Sequence, residues 1–443
     1  MAAILVLAAC VAGGWWALGR LREPEPEPLP EERYEPIDAD VVAAWEAAGA
    51  EYGSIRIDER GVTAWQPQSE EPGAGALAGF RFQPLPAGKL SGLPEPRVPF
   101  GLFLEGSMVT DQHAQEIARF QQLRILGLAI NQLTDQGVAE LARAERLRSL
   151  DLTHNPITSA SLKQIGRLRH LQTLDLNQTQ VDDEGAAQLA GLKNLWMLDL
   201  TATRITDKGL KYVGRLPRLR MLYLTGLSGV TDAGIAQLKG CAELEFLNLA
   251  GTRVTDKSLK YVARLPGLRV LNLNGLSGVT DAGIAQLEGC AELEFLSVDS
   301  TGITGEGLAY LAGPAKLATL RAGNINWSDA GLDALGRLTS LRSLQLVGRL
   351  GEGRLEKLSG LTNLESLSLF HCGVNDEDLK ILRGMKNLRE LDLQWNPEVT
   401  DETLRHLAEL KNLRQLYIAN TGASFEGLVK LREALPELRE GEE

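Results

Sequence analysis

From about residue 99 onward, the apolar positions recur in one phrase, L-x-x-L-x-L, whose first leucines are Leu123, Leu147, Leu171, Leu195, Leu219, Leu244, Leu268, Leu293, Leu317, Leu341, Leu364, Leu388 and Leu413. The spacing is 23 to 25 residues, and a degenerate copy starting at Pro99, with Leu102 and Leu104 in the next core places, brings the series to about fourteen units. Inside a copy such as Leu195-x-x-Leu198-x-Leu200, the period of two predicts a short strand whose leucines point inward. Counting the first leucine as place one, place nine is small and polar: Asn131, Asn155, Thr179, Thr203, Thr252, Thr301, Cys372, Asn396 and Thr421. A side chain of that type bonds the turn backbone of a neighbouring copy. Next comes Ile or Val with a Thr-Asp pair, as in Ile205-Thr206-Asp207 and Val254-Thr255-Asp256, which is the chemistry of a helix N-terminus. Leu210, Val213 and Leu216 then recur on one helical face. No single unit buries both its strand and its helix, so the copies must stack.

Two details modulate this repeat. Segments 230–247 and 279–296 differ only at Lys239 and Glu288, which marks a duplicated pair of units. Cys241 and Cys290 fall at equivalent points of that pair, so a shared packing role is expected of them. The unit starting at Leu341 lacks the Thr-Asp phrase and reads Arg349-Leu350-Gly351-Glu352-Gly353 instead, which predicts a local break in its outer helix.

Ahead of the repeats the pattern changes three times. Residues 2–19 carry no charge, and eighteen helical residues would rise about 27 Å, enough for a hydrocarbon core. We therefore read 1–20 as a transmembrane anchor or signal segment, with a single-pass membrane anchor as the expected location. A secreted form cleaved after Gly19 and a form lipidated at Cys10 are the alternatives. Residues 21–36 alternate Glu and Pro and read as an extended linker. Residues 37–98 read as a capping region for the first repeat. There Val41, Val42 and Trp45 make an apolar helical stripe, and Ser54–Gln66 alternates like a hairpin. The repeats are placed at 99–438 and an acidic tail at 439–443.

The repeated phrase resembles the leucine-rich-repeat superfamily, and I/V-T-D-x-G-L resembles its ribonuclease-inhibitor-like, cysteine-containing branch. That branch includes the repeat regions of F-box adaptors and many bacterial repeat proteins. The resemblance covers residues 99–438. It implies an α/β solenoid of horseshoe form, with a parallel sheet on the concave side and helices on the convex side. It also implies a protein–protein interaction scaffold that binds its partner on the concave face. An intracellular F-box-like adaptor that selects substrates for a ubiquitin ligase is the alternative. Two features depart from the branch: no F-box-like module precedes the repeats, and place nine is mostly Asn or Thr rather than Cys.

On such a sheet, places three, five and seven point away from the core. Place three reads Met197, Met221, Phe246, Val270 and Phe295 in five consecutive units, an apolar stripe expected to lie open on a wet surface. Place five reads Asp151, Asp175, Asp199 and then Tyr223, which predicts a carboxylate ladder flanking one end of the stripe. These nine residues are the expected partner-binding set, and Phe370, His371, Trp395 and Tyr417 form a second candidate patch.

Composition narrows the classes of function. The net charge of −12 is concentrated at the ends: residues 21–40 hold eight acids against two arginines, and residues 432–443 hold five against two. With no basic stripe, nucleic acid is not an expected partner. The four cysteines form no C-x-x-C pair and the five histidines share no metal spacing. Nucleotide-binding, hydrolase, kinase and zinc-protease phrases are missing from the sequence. We expect no catalytic residues, no metal and no cofactor. The expected partner is a protein of unknown identity, with membrane contact through residues 2–19.

Overall fold

The computed structural model describes residues 36–57, 63–67, 76–85, 90–312 and 316–440. The chain divides into two compact units, Met1–Ile157 with Arg167–Asp175 and Thr158–Gly166 with Leu176–Glu443.

In the first unit, the helix Ala39–Ala47 precedes the strands Glu51–Ile57, Thr63–Pro67 and Leu77–Arg81. The first strand pairs antiparallel with both others, Ser54 facing Gln66 on one side and Ala78 on the other. Leu77–Arg81 pairs in parallel with Phe100–Phe103, and the parallel run continues through Leu123–Gly127, Ser149–Asp151 and Thr173–Asp175. Alternation along the strands separates two apolar layers. In one layer Trp45, fully buried, stacks on Phe80 with centroids 4.2 Å apart and meets Phe120 at 5.4 Å. In the other, Ile55 packs with Leu77, Phe103 and Ile125, and Ile57 and Trp65 lap over them.

In the second unit, parallel pairing runs strand by strand from Met197–Asp199 to Gln415–Tyr417. Arg439 and Glu440, read from sequence as the start of a tail, pair with Gln415 and Leu416 as one more short strand. The leucines of the repeated phrase are buried, and behind them lie short helices such as Asp207–Val213 and Asp256–Val262. At the expected break the outer segment shrinks to a 3-10 turn, Arg354–Leu358. Gly353 is left-handed there (φ 69°), no side chain caps the turn, and the Arg354 guanidinium ties it down by donating to the carbonyls of Leu350 and Trp327.

The Thr-Asp phrase divides its labour differently from the sequence reading. Threonine alone is the cap: Thr255 has an extended backbone and its Oγ1 accepts from the Lys257 amide. The aspartate that follows is a staple between copies. Asp256 accepts from both the amide and the hydroxyl of Thr280, each at 2.7 Å, and Asp207 does the same for Thr231. In two copies the staple lies against the glycine of T-D-x-G: a Cβ on Gly283 would sit 2.2 Å from Asp256 Oδ1, and one on Gly234 would sit 2.4 Å from Asp207 Oδ1. The copies stapled by Asp232 and Asp376 instead carry Ser258 and Thr403 at that place. Gly283→Ala should therefore destabilise the second unit by about 1–3 kcal/mol through overpacking. Asp256→Ala should remove most of that added penalty in a double-mutant cycle by urea unfolding. Strict additivity of the two substitutions would show that the carboxylate is not what the glycine accommodates.

The single-pass membrane anchor is corrected: among the described residues, no helix is long and apolar enough to cross a membrane. The segment 2–19 on which that expectation rested, and the linker to residue 35, lie outside the described residues.

Candidate functional site

Each repeat presents four places of its strand and following turn on the side away from the helices. Place three of the second unit aligns as the sequence requires: Met197 pairs with Met221, Met221 with Phe246, Phe246 with Val270, and Val270 with Phe295. The expectation that this stripe lies open is corrected. All five side chains are buried, with 3–7% of their surface accessible. The cause is spacing, because strands about 4.8 Å apart press identical places against one another. Polar residues at the same place are no more exposed: Ser149 and Thr173 in the first unit are at 2% and 1%. The Tyr223 ring lies 4.5 Å from the Phe246 ring. At place two, Arg220, Glu245, Arg269 and Glu294 form a chain of ion pairs whose closest contacts are 2.7 and 2.8 Å.

Place five is half-buried at Asp151, Asp175, Asp199 and Tyr223. In the first unit Asp151 faces Asp175 across adjacent strands, which gives two rungs of the expected carboxylate ladder. Asp199 belongs to the second unit, where it faces Tyr223. Desolvation by burial holds the Asp151 carboxyl above the usual carboxylate range, although the Thr153 amide donates to its Oδ1 at 2.9 Å. The Thr201 amide makes the same contact with Asp199 at 2.7 Å.

Sequence reasoning passed over a polar network farther along the same face. Arg321 at place five is 6% exposed, and its Nε donates to Gln345 Oε1 at 2.6 Å. Asp299 at place seven accepts from the Gly323 amide at 2.5 Å and from Asn274 Nδ2 at 3.2 Å. Burial raises the Asp299 carboxyl, and it raises that of Asp392, which accepts from Ser368 Oγ at 2.8 Å. The signal was present as charged residues at places five and seven of consecutive units, Asp299 and Arg321.

Place eight carries the most exposed side chains. Its backbone is left-handed in every repeat from Leu123 to Leu413, with φ between 52° and 93°. That conformation lets its amide extend the strand ladder: His371 N donates to Gln394 O and Trp395 N to Ala419 O, both at 3.0 Å. Glycine holds this place at Gly226, Gly251, Gly275 and Gly348, where the left-handed region carries no steric penalty. Trp395 holds it at φ 60° with 51% of its surface exposed, beside exposed His371 and half-buried Phe370 and Tyr417.

The three cysteines among the described residues, Cys241, Cys290 and Cys372, are packing residues. Cys241 and Cys290 are buried and free, and burial pushes their thiols up to about 12 and about 11. Burial raises the Cys372 thiol as well.

Comparison with known proteins agrees with this architecture. Residues 107–356 match the family described as a leucine-rich repeat region, and residues 360–381 and 384–408 match a second leucine-rich-repeat family. No curated protein matches the sequence. Among solved structures, an internalin of Listeria monocytogenes is 22% identical with a TM-score of 0.51, over 68% of this chain and 82% of that one. A leucine-rich-repeat protein of Leptospira interrogans is 21% identical with a TM-score of 0.50, over 83% of this chain and 89% of that one. At these identities the two structures bear on the fold alone.

Proposed function

Because the chain belongs to the leucine-rich-repeat family, we propose that it is a non-enzymatic scaffold that recognises a protein partner on the helix-free face of its sheet. One observation carries this reading. Trp395 is held half-exposed on a left-handed backbone, where a bulky side chain costs about 1–3 kcal/mol and glycine serves other repeats without that cost. An indole kept there, with His371, Phe370 and Tyr417 around it, has the character of an interface anchor.

The apolar stripe takes a different part in this proposal from the one its sequence suggests. Met197, Met221, Phe246, Val270 and Phe295 form a packed floor that fixes the groups above it. In the second unit Tyr223 and the Asp199 carboxylate are the half-buried groups that a partner touches; in the first unit, taken by itself, Asp151 and Asp175 are the corresponding groups. A carboxylate desolvated by burial, as Asp151 is, gains most from a lysine or arginine brought by that partner.

The test is quantitative affinity capture with the full chain as bait, followed by titration of the recovered partner. Trp395→Ala should weaken that partner by about 2 kcal/mol with the melting temperature unchanged, and Tyr223→Ala by a similar amount with a small fall in melting temperature, since its ring packs on Phe246. Phe246→Ala should lower the melting temperature, because it empties part of the floor. Unaltered affinity in both Trp395→Ala and Tyr223→Ala would place recognition on another surface.

A further inference from the structure

Place two of the repeats forms the edge of the sheet where the strands begin, and its charges alternate through Arg220, Glu245, Arg269 and Glu294. Along this stretch each long side chain is held by its neighbour's opposite charge, and their side chains keep only 18–25% of their surface exposed. The alternation stops at the next unit, where place two is Ala318. The edge opens there into a groove of about 470 Å³ that runs past the next four units.

The walls of this groove are cationic in a chain of net charge −12. Lys316, Arg342 and Arg389 line it; Lys316 is paired with Glu292 at 2.5 Å, and Glu365 is the single carboxylate among the lining residues, so the underpaired cations are the two arginines. Glu365 pairs with Arg342 at 2.8 Å and reaches Arg389 at 3.9 Å, so one acid is divided between two arginines. Those arginine side chains are 69% and 64% exposed, against 20% and 21% for Arg220 and Arg269 in the closed stretch. Three asparagines, Asn363, Asn387 and Asn412, lie one residue before the first leucine of consecutive units and also line the groove. Each Nδ2 is anchored on a carbonyl of the preceding unit, Thr339 at 2.9 Å, Thr362 at 3.2 Å and Lys386 at 2.9 Å. The anchored amides are a regular row, each of which keeps its Oδ1 as an acceptor and a second Nδ2 hydrogen as a donor.

We propose that this groove binds an extended, acidic peptide segment of a partner protein. The chemistry pairs on both counts. Carboxylates of the segment meet guanidinium groups that share too little negative charge, and its backbone N–H groups meet the asparagine oxygens. The dimensions agree as well. Arg342 and Arg389 stand two units apart, about 10 Å at sheet spacing, while alternate residues of an extended chain are about 7 Å apart. Acids two or three residues apart therefore reach both arginines.

The experiment is fluorescence anisotropy on the full chain with a labelled peptide of alternating Glu and Ser, about twelve residues long. Controls are the Lys-Ser counterpart and a single-stranded oligonucleotide of equal charge. The acidic peptide should bind in a salt-dependent way and the basic one should not. Arg342→Glu combined with Arg389→Glu should weaken binding at least about tenfold. Ala318→Glu, which places a carboxylate at the opening of the groove, should weaken it comparably while the melting temperature holds. Asn387→Ala should weaken it by a smaller factor. Binding unaffected by both the double arginine variant and Ala318→Glu would overturn the proposal, as would failure of the acidic peptide to bind. An oligonucleotide that binds more tightly than the peptide and is lost in the same variants would also overturn it, because the groove would then be a phosphate site.

Discussion

Asn396→Ala should destabilise the second unit by about 3 kcal/mol or more, far beyond an ordinary side-chain deletion, because it leaves several buried backbone groups unsatisfied at once. Asn396 is fully buried at place nine. Its Nδ2 donates to the carbonyls of Leu369 (2.8 Å), Leu393 (2.9 Å) and Gln394 (3.2 Å), and its Oδ1 accepts from the amides of Gly373 (2.8 Å) and Val374 (3.2 Å). Two of the three carbonyls lie in its own copy and the two amides in the preceding one, so the side chain closes a turn and joins two copies. Thr252 is the control at the same place: its Oγ1 donates only to Leu249 O, within its own copy, and Thr252→Ala should cost about 1 kcal/mol. In a repeat array a defect of this kind is felt by nearest neighbours first. Hydrogen exchange should therefore accelerate at the Gly373 and Val374 amides before the rest of the unit responds. Equal losses for the two variants would mean that the asparagine does no more than the threonine.

The contrast between Asn396 and Thr252 shows how far the repeat could be read from its letters. Place nine stood out as small and polar, and asparagine does reach the neighbouring copy. Threonine is too short for that and bonds back to the carbonyl three residues earlier, as Thr179, Thr203 and Thr301 also do. The strands and helix faces were legible because periods of two and 3.6 are properties of the sequence itself. The division of labour in Thr-Asp-x-Gly was not, because the aspartate serves the following copy, and a helix start read alone gives its two polar residues the same role. Gly283 was legible only as part of a motif, since the atom it makes room for lies 27 residues earlier in Asp256.

The site shows the same boundary. Which side chains line up across the sheet follows from repeat spacing, and Met197 through Phe295 do line up. How much of each is left open depends on strand spacing and on neighbours at other places, neither of which is written at place three itself. Phe246 is covered in part by Tyr223, a place-five residue of the preceding strand. Conversely, nothing in the local sequence around Trp395 gives its left-handed backbone; that appears only when it is aligned with Gly226, Gly251 and Gly275 at the same place of other copies. Alignment of places, rather than any one unit, is the signal that would have found it.

Trp45→Ala should cost the first unit about 3–5 kcal/mol, the range for deleting a large aromatic from a closed core. Aromatic residues make up only 5% of the chain, yet five of them meet around this one helix. Trp45 stacks on Phe80 and lies within 6.1 Å of both Phe82 and Phe100, with Phe120 closer still. The residues it joins come from three sources: the helix Ala39–Ala47, the strand Leu77–Arg81 with the residue after it, and the first repeats at Phe100 and Phe120. A large indole is needed because these elements do not repeat, so no leucine of a preceding copy fills the space beneath the first strand. Its Nε1 also donates to Pro94 O at 2.9 Å, which ties the segment before the first repeat to the same helix. Trp45→Phe keeps much of the area and loses that bond, so it should cost clearly less than alanine but leave the Pro94 carbonyl without its donor. Limited proteolysis reads the result, with cleavage of Trp45→Ala expected first in residues 36–98 while the repeats of the second unit persist. If Trp45→Ala instead unfolds both units together, or resists protease as the wild type does, the aromatic cluster is not what holds the first strand in place.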